Sequence, residues 1–600
     1  MSADAPTVAL HLARLADRGA PEGAGLRFVG ANEAATWLPW SEIAARAASA
    51  AGALAATGVR VGDRVGLLLP TSPGFFDAWF RALWLGAVPL ALYPPVRLGR
   101  MAAWVDGTTA ALRTVGARAV VTDATVGRVT GAVEAALGPS VAWLRVEDLP
   151  AGVPRPVHTA AADAPAMVQL SSGTTGAPKA TVLSHAAILA NAGALLDEIF
   201  ACNPRGGDPE PGGVSWLPLY HDMGLIGCVL PALLGPGPLT LIPPERFLAR
   251  PALWLRAISR YRGTVSPAPN FAYAMATERV RDDELDGVDL SCWSLALNGA
   301  EPVSARVCAA FVARFSAYGL RPDAIRPVYG LSEMALAVTF PRRGGVRPLC
   351  LDRDALAEDR VVPSPDGAPW VGSGEPLPGY RVGILDAKGA PLGPDRLGQV
   401  VVDGPSALSG WWGSTKPPRI EGWVHTGDVG FLHDGALFVV GRQRDRIKLR
   451  GRHHAPQDLE AAADAVPGVR TGCAAALADV DEDGERLLLF VEVREPRPGL
   501  AEAVVEAVRA ACGVAPDAVV LLAPGTLPRT SSGKIRRSAT LAQWRSGALL
   551  PPQDVGTLRL AGVLAGSLFA RWQGRARAWL GVGLTHDDAT ADDPQGKPKP

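Results

Sequence analysis

The segment Gln169-Leu-Ser-Ser-Gly-Thr-Thr-Gly-Ala-Pro-Lys-Ala-Thr-Val-Leu-Ser-His185 brings hydroxyl side chains, glycines and a lysine together in one short stretch. Hydroxyls can donate hydrogen bonds to an anion, glycines let backbone amides approach it closely, and a lysine adds positive charge. The residues that can contribute in these ways are Ser171, Ser172, Gly173, Thr174, Thr175, Gly176 and Lys179. The stretch therefore predicts a loop that holds a polyphosphate, with a Ser/Thr/Gly-rich surface turn as the alternative.

This loop departs from the Walker A pattern of P-loop proteins at two positions. Pro178 stands where that pattern has the glycine before its lysine, and Ala180 stands where it has Ser or Thr. A P-loop fold is therefore disfavoured.

Further motifs follow in a fixed order along the chain. They are Tyr329-Gly-Leu-Ser-Glu333, Gly422-Trp-Val-His-Thr-Gly-Asp428, Gly441-Arg442 and Pro528-Arg-Thr-Ser-Ser-Gly-Lys534. Together with the first segment they resemble the signatures of the adenylate-forming superfamily, which contains acyl-CoA synthetases, luciferases, peptide-synthetase adenylation domains and fatty acyl-AMP ligases. The resemblance extends from about Thr7 to about Trp544.

The resemblance implies a binding site for ATP and Mg²⁺. The phosphates would lie against Lys179 and the Ser172–Gly176 loop, and Glu333 would be the Mg²⁺ ligand, a hard oxygen donor for a hard cation. Asp428 would accept hydrogen bonds from the ribose hydroxyls, with Arg442 as a nearby donor. The remaining residues expected around the nucleotide are Gly299, Ala300, Glu301, Tyr329, Gly330 and Ser332.

Three residues are expected to act on the reacting groups. Lys534 would approach the carboxylate and the α-phosphate as charge develops, and Glu333 would act through the metal. His221, in Trp216-Leu-Pro-Leu-Tyr-His-Asp-Met-Gly224, resembles the histidine that borders the acyl pocket, with a core histidine as the alternative. An apolar pocket is implied by Trp216, Met223, Leu225, Phe271 and Met275, although core packing explains such residues equally well.

The pattern of apolar segments predicts an α/β fold. A large N-terminal domain (1–441) of parallel, helix-covered sheets ends in a small β-subdomain, and a small mobile α+β C-terminal domain (442–545) follows. The large domain is predicted to contain strands at Ala119–Thr122, Val168–Ser171, Leu295–Asn298 and Gly398–Asp403. Val168–Ser171 and Leu295–Asn298 are predicted to be followed by helices. By the resemblance, Arg444 lies at the hinge about which the small domain rotates between the two reactions.

Details of the sequence favour the fatty acyl-AMP ligase branch. Gln457, in Pro456-Gln-Asp458, resembles that branch, and the segment 341–370 resembles its insertion. The implied enzyme is an acid-thiol ligase. It forms a fatty acyl-adenylate from ATP, with release of pyrophosphate, and passes the acyl group to the phosphopantetheine thiol of an acyl carrier protein. The alternatives are a fatty acyl-CoA synthetase that uses free CoA and, because Ala180 departs from the family's usual glycine, a non-catalytic nucleotide- or acyl-binding module.

Composition excludes other classes of protein. The chain of 600 residues has 59 basic and 59 acidic side chains and no basic stripe interleaved with aromatics, so nucleic acid is not an expected partner. Its seven cysteines show no paired spacing, which argues against a disulfide framework and a zinc site. Apolar runs are too short for a transmembrane helix, and the N-terminal residues lack a signal pattern, so a cytoplasmic location is expected.

Residues 546–600 form an extension outside the resemblance. Leu560–Leu580 could form an amphipathic basic helix that touches a membrane peripherally or a partner, although a helix docked on the protein itself is the commoner arrangement. The polar residues after Asp587 are expected to be disordered.

Overall fold

The computed structural model describes residues 7–95, 101–149, 154–171, 179–203, 210–449, 452–481, 484–530 and 533–551. The loop Ser172–Pro178 and the extension from residue 552 onward, with its candidate helix Leu560–Leu580, lie outside the described residues.

The described residues form alternating helices and strands. The α-helices are α1 (Val8–Arg18), α2 (Trp40–Ala56), α3 (Pro73–Leu85), α4 (Met101–Val115), α5 (Gly131–Leu137), α6 (His185–Cys202), α7 (Asp222–Gly224), α8 (Leu230–Leu234), α9 (Pro244–Ala249), α10 (Ala252–Arg260), α11 (Asn270–Arg279), α12 (Ala305–Phe315), α13 (Arg353–Ala357), α14 (Pro456–Asp464), α15 (Leu500–Cys512) and α16 (Arg537–Arg545). The strands are β1 (Gly25–Val29), β2 (Ala35–Pro39), β3 (Arg64–Leu68), β4 (Val88–Ala91), β5 (Ala119–Thr122), β6 (Ala142–Arg145), β7 (Pro165–Ser171), β8 (Lys179–Ser184), β9 (Gly213–Ser215), β10 (Pro238–Leu241), β11 (Val265–Ala268), β12 (Leu295–Asn298), β13 (Ile325–Pro327), β14 (Tyr329–Gly330), β15 (Ala337–Phe340), β16 (Pro348–Leu351), β17 (Ala368–Val371), β18 (Glu375–Pro376), β19 (Arg381–Leu385), β20 (Gly398–Asp403), β21 (Gly410–Trp411), β22 (Val424–His433), β23 (Ala436–Arg442), β24 (Ile447–Leu449), β25 (Arg452–His454), β26 (Val469–Asp481), β27 (Gly484–Val493) and β28 (Ala518–Leu522).

Two seven-stranded sheets form the body of the large domain. Their strand orders are β13-β12-β11-β9-β10-β1-β2 and β21-β8-β7-β4-β3-β5-β6. Most neighbours are parallel, as the apolar strand segments predict, and helices cover the sheets. The prediction of a helix after Val168–Ser171 is wrong. The next element, β8, pairs antiparallel with β7, with Ser171 opposite Lys179, so the two ends of the phosphate-loop motif lie side by side.

The four-stranded antiparallel sheet β19-β20-β22-β23 forms the predicted β-subdomain. Segment 341–370 folds as the β16–β17 ribbon with α13 between its strands. Leu351, Leu356 and Trp370 of this segment share one apolar cluster with Phe431 and Phe438 of the β-subdomain. The segment is therefore packed on the β-subdomain through a core of its own.

The small domain has its own apolar core. β26 and β27 are antiparallel, β28 joins β27 in parallel, and α14 and α15 pack beside them. Segment 341–370 contacts this domain through two ion pairs, Arg446–Asp359 at 2.5 Å and Arg452–Asp354 at 2.8 Å. Exposed pairs of this kind contribute little each, about 0–1 kcal/mol.

One described helix, α6, is long and apolar enough by length and composition to cross a membrane. Its Asn191 argues for a core helix. That side chain is fully buried and donates to the carbonyl oxygen of Ala337 at 2.8 Å and the hydroxyl of Tyr380 at 2.9 Å, and it accepts from the amide of Ala337 at 3.0 Å. A buried polar side chain whose hydrogen bonds are all made to protein groups is typical of a core helix.

Candidate active site

A cavity of about 1420 Å³ lies where the large domain, the β-subdomain and the small domain meet. The parallel strands β11, β12 and β13 end at its edge, and Phe271, Ala300 and Tyr329, which follow those three strands, line it. The carboxyl ends of parallel strands are where ligands bind in α/β sheets. The cavity exceeds the usual range of about 300–1,000 Å³ for a single small-ligand site, so it can hold a nucleotide and a second molecule.

A polar cluster lines the cavity on the side of the β-subdomain. The Tyr329 hydroxyl donates to Oδ2 of Asp428 at 2.6 Å, and Nε of Arg442 lies 3.0 Å from Oδ1 of the same carboxylate. Nη1 of Arg442 also donates to the carbonyl oxygen of Thr426 at 2.7 Å. β22 and β23 create this arrangement, because their antiparallel register places Asp428 directly opposite Arg442.

The negative charges in this cluster stabilise the positive charge of Arg442. Burial alone would lower the pKa of Arg442. The negative charges of Asp428, Tyr329 and Glu333 raise that pKa by more than burial lowers it, so it lies above its ordinary value. Each oxygen of Asp428 has one partner and can accept a further hydrogen bond. The cluster can therefore bind a diol such as a ribose without releasing its own contacts.

Lys534 belongs to the small domain but lines the same cavity. Burial and the nearby positive charge of Arg442 lower the pKa of its ammonium. The negative charges of Asp222, Glu301 and Asp428 act in the opposite direction but do not cancel this lowering. Its backbone is held by Thr530, whose hydroxyl accepts from the Lys534 amide at 3.1 Å. A partly buried cation thus lies among acidic groups supplied by the large domain.

Sequence reasoning missed Asp222, which is 4% exposed. Its Oδ1 lies 2.7 Å from Nδ1 of His221, and the Ser332 hydroxyl donates to Oδ2. Burial raises the pKa of Asp222, but the charge of His221 and the hydrogen bonds from His221 and Ser332 outweigh burial and hold that pKa at about 2. The dipeptide His221-Asp222 was the signal that could have identified Asp222. An ionised aspartate only accepts hydrogen bonds, so one next to a histidine can orient the histidine ring.

Glycines allow neighbouring backbone segments to approach closely next to Tyr329. A β-carbon on Gly330 would lie 2.0 Å from the carbonyl oxygen of Leu336, and one on Gly299 would lie 2.7 Å from that of Val328. Ala300, the next residue, has φ of 68°, which is uncommon and strained for a residue with a side chain. Strain of this kind is concentrated at functional sites.

Two acidic residues expected at the nucleotide have different surroundings. Glu301 lines the cavity, and its Oε1 accepts from the backbone amide of Phe271 at 2.6 Å, at the start of α11. Burial raises the pKa of Glu301. The hydrogen bond from that amide and the positive charges of Lys534 and Arg529 oppose this rise. Glu333 also lines the cavity, and within the described residues no side chain bonds its carboxylate. The described residues contain no group of three or more His, Cys, Asp or Glu that could hold a metal ion by themselves.

Lys179 lies at the first position of β8 and on the wall of the cavity. Its ammonium is 5.1 Å from the ring centroid of Trp411, a residue of β21, which pairs with β8. The side chain of Ser171 and the residues Ser172, Gly173, Thr174, Thr175 and Gly176, which were expected to surround the phosphates, are outside what the structure describes.

We expect the substitution Trp411→Leu to weaken ATP use two- to fivefold, because the cation–π contact that holds Lys179 contributes about 0.5–1 kcal/mol. The measurement is KM for ATP in pyrophosphate release. Trp412→Leu is the matched control, since the neighbouring ring of Trp412 lies 4.9 Å from the guanidinium of Arg64 and does not line the cavity. An equal change of KM in both variants would contradict the role assigned to Trp411.

The apolar side chains that line the cavity differ from the expected set of residues. Met223 and Phe271 line it. Trp216 and Leu225 are instead core residues, with 3% and 0% exposure, and Trp216 stacks on Phe247 at 3.9 Å. Met275 is packed against the same core. For these three the alternative of core packing holds, and the sequence could not decide between the two because buried apolar side chains of a core and of a pocket have the same composition.

Comparison with known proteins places the chain among nucleotide-dependent ligases. The family model described as "AMP-binding enzyme" matches residues 18–412. A putative acyl-CoA synthetase of Caulobacter vibrioides is 32% identical over 85% of this chain and 91% of its own length. The long-chain-fatty-acid–AMP ligase FadD26 of Mycobacterium marinum is 32% identical over 86% of this chain and 92% of its own length.

A further relative and two solved structures give the same result. The medium-chain-fatty-acid–[acyl-carrier-protein] ligase JamA of Moorena producens is 32% identical over 81% of this chain and 86% of its own length. A structure from a study of fatty acyl-adenylate ligases of E. coli and L. pneumophila superposes with a TM-score of 0.83 at 31% identity, covering 91% of this chain and 99% of that one. A fatty acyl-adenylate ligase of L. pneumophila in complex with acyl adenylate and pyrophosphate has a TM-score of 0.67 at 26% identity, covering 90% and 96%.

Proposed function

This chain belongs to the AMP-binding enzyme family, among the fatty acyl-AMP ligases, and from that membership we propose that it activates a fatty acid with ATP and transfers the acyl group to an acyl carrier protein. The observation that carries the proposal is the shared cavity, which is lined by the polar cluster of Asp428, Tyr329 and Arg442 and also by the apolar side chains of Met223 and Phe271. A cavity of this size and lining can hold a nucleotide together with an aliphatic chain.

The first reaction is adenylation. A carboxylate oxygen of the fatty acid attacks the α-phosphorus of ATP, the bond from that phosphorus to the bridging oxygen breaks, and pyrophosphate leaves. Negative charge increases on the α-phosphate oxygens during this step, so a fixed cation beside them lowers the barrier. We assign this role to Lys534, and we assign binding of the pyrophosphate to Lys179, which also lines the cavity.

Mg²⁺ is part of the proposal. Glu333 supplies the hard oxygen ligand that Mg²⁺ prefers, and its carboxylate lines the cavity without a side-chain partner in the described residues. Because Mg²⁺ usually takes only one or two carboxylates and fills its other positions with phosphates and water, a single glutamate fits. When bound, the ion would neutralise phosphate charge.

The second reaction passes the acyl group to a thiol. The sulfur of the phosphopantetheine arm attacks the acyl carbon, and AMP leaves with the former carboxylate oxygen. A carrier-bound thiol is proposed over free CoA because segment 341–370 has its own core against the β-subdomain and reaches the small domain through Asp354 and Asp359. These contacts oppose the movement of the small domain that would admit free CoA, each by the small amount that such an ion pair contributes. A cytoplasmic location stays a prediction.

The test is the set of products formed by the purified protein. With ATP, Mg²⁺ and fatty acids of several lengths, we expect acyl-adenylate and pyrophosphate, identified by mass spectrometry, and acyl transfer when a phosphopantetheinylated carrier protein is added. CoA alone is expected to leave the adenylate unconsumed. Formation of acyl-CoA at a rate similar to carrier acylation would support an acyl-CoA synthetase, and the absence of both products would support a binding module.

A further inference from the structure

The turn 332–336 carries Glu333, and its backbone is strained. Ala335 has φ of 61° and ψ of −54°, a combination that a residue with a side chain rarely adopts. Such a conformation is costly, so it persists only when the surrounding structure holds it in place. The turn also carries Ser332, whose hydroxyl donates to Asp222. The contacts that hold this turn therefore determine where two side chains of the cavity lie.

A chain of hydrogen bonds reaches the turn from α6. Asn191 donates to the hydroxyl of Tyr380 at 2.9 Å, and that hydroxyl donates to the hydroxyl of Ser406 at 2.8 Å. The Ser406 hydroxyl in turn donates to the carbonyl oxygen of Met334 at 2.7 Å. All three side chains are buried, with at most 6% exposure. Each donor therefore has a fixed acceptor, and hydrogen bonds linked in this way strengthen one another.

The segment 406–411 connects the same turn to Lys179. The amide of Leu408 donates to the carbonyl oxygen of Glu333 at 2.8 Å. β21 begins two residues later and pairs antiparallel with β8, the strand that starts at Lys179, and Trp411 of β21 lies against the Lys179 ammonium. β8 runs directly into α6. Both the helix and the segment therefore tie the turn to the strand that carries Lys179.

We propose that Asn191 and Ser406 are positioning residues, which hold the carboxylate of Glu333 at a fixed distance from the ammonium of Lys179. This inference rests on the proposed function, in which Glu333 holds Mg²⁺ and Lys179 holds phosphates of the same nucleotide. A carboxylate and a lysine that serve one polyphosphate need a fixed separation, because small displacements are costly in such a site. Neither Asn191 nor Ser406 lines the cavity, so both act through the backbone of the turn.

The test is the gain in ATP affinity that Mg²⁺ causes, measured by calorimetric titration of the protein with ATP in the presence of Mg²⁺ and in the presence of a chelator. In Ser406→Ala we expect this gain to fall about tenfold, the lower end of the usual effect of removing a group that orients a metal ligand. Affinity for ATP without Mg²⁺ should change little, because Lys179 keeps its place on β8. Asn191→Ala is the stronger variant, and Tyr380→Phe, one step further from the turn, should show a smaller fall.

The matched control is Ser266→Ala. The Ser266 hydroxyl is also fully buried and donates to a backbone carbonyl oxygen, that of Val214, at 2.6 Å, but it belongs to β11. This variant should lose thermal stability as Ser406→Ala does and yet keep the wild-type response of ATP affinity to Mg²⁺. Ala335→Gly, added to Ser406→Ala, should recover part of the lost response, since glycine adopts positive φ without strain.

A wild-type response to Mg²⁺ in both Ser406→Ala and Asn191→Ala, an equal loss in Ser266→Ala, or no recovery in the double variant would overturn the inference while leaving the proposed function intact. A wild-type protein that binds ATP equally well with and without Mg²⁺ would contradict the metal-binding role of Glu333 and this inference with it. A wild-type protein that binds no ATP would contradict the proposed function itself.

Discussion

The substitution Lys534→Ala is expected to lower the rate of acyl-adenylate formation by about 10²–10³-fold, the usual effect of removing one group that stabilises charge in a transition state. The reason is its position. Lys534 lies within the charge field of Asp222, Glu301 and Asp428, so its ammonium reaches across the domain boundary to the cavity where the carboxylate and the α-phosphate would meet. Binding of ATP should change less, because the charge that the lysine opposes develops during the reaction.

The measurement is single-turnover formation of acyl-adenylate with saturating ATP and fatty acid. Lys388→Ala is the matched control, since Lys388 is an exposed lysine in a turn of the β-subdomain. Lys534→Arg distinguishes charge from position, because a guanidinium keeps the charge but has a different shape. Adenylate formation by Lys534→Ala at the wild-type rate would show that this lysine does not act on the reacting groups.

The substitution Asp222→Asn should lower the stability of the large domain by about 2 kcal/mol near pH 5. The pKa of Asp222 is about 2 in the folded protein and 3.8 ordinarily, and each unit of difference corresponds to about 1.36 kcal/mol. Because the folded-state pKa is the lower one, this stabilisation is fully present above about pH 4 and is lost as the pH falls through 4 towards 2. An amide cannot replace a charge in this position.

The measurement is the midpoint of thermal unfolding at a series of pH values. We expect a clear difference between wild type and Asp222→Asn at pH 5 and a smaller difference below pH 4. Asp17→Asn is the control, at an exposed aspartate near the end of α1. Adenylate formation should also fall, since His221 and Ser332 both lose the carboxylate that positions them. A pH-independent difference would show that the charge of Asp222 is not the source of stability.

Local patterns were sufficient to predict many elements. Ala119–Thr122, Leu295–Asn298 and Gly398–Asp403 are strands with the bounds predicted for them, because short apolar runs bounded by turn residues have few other ways to be buried. The order of the motifs also indicated that residues far apart in sequence share one site, and the cavity brings Tyr329, Asp428 and Lys534 together.

The sequence by itself determined the fold class, the family and most candidate site residues, since these depend on residue types at fixed spacing. The tertiary structure decided what depends on neighbours distant in sequence. It paired β8 antiparallel to β7, placed Asp222 against Ser332, and assigned Trp216 to the core but Met223 to the cavity. Apolar residues carry no mark that separates a core from a pocket, so the residues that line the cavity become identifiable only when the elements are packed together.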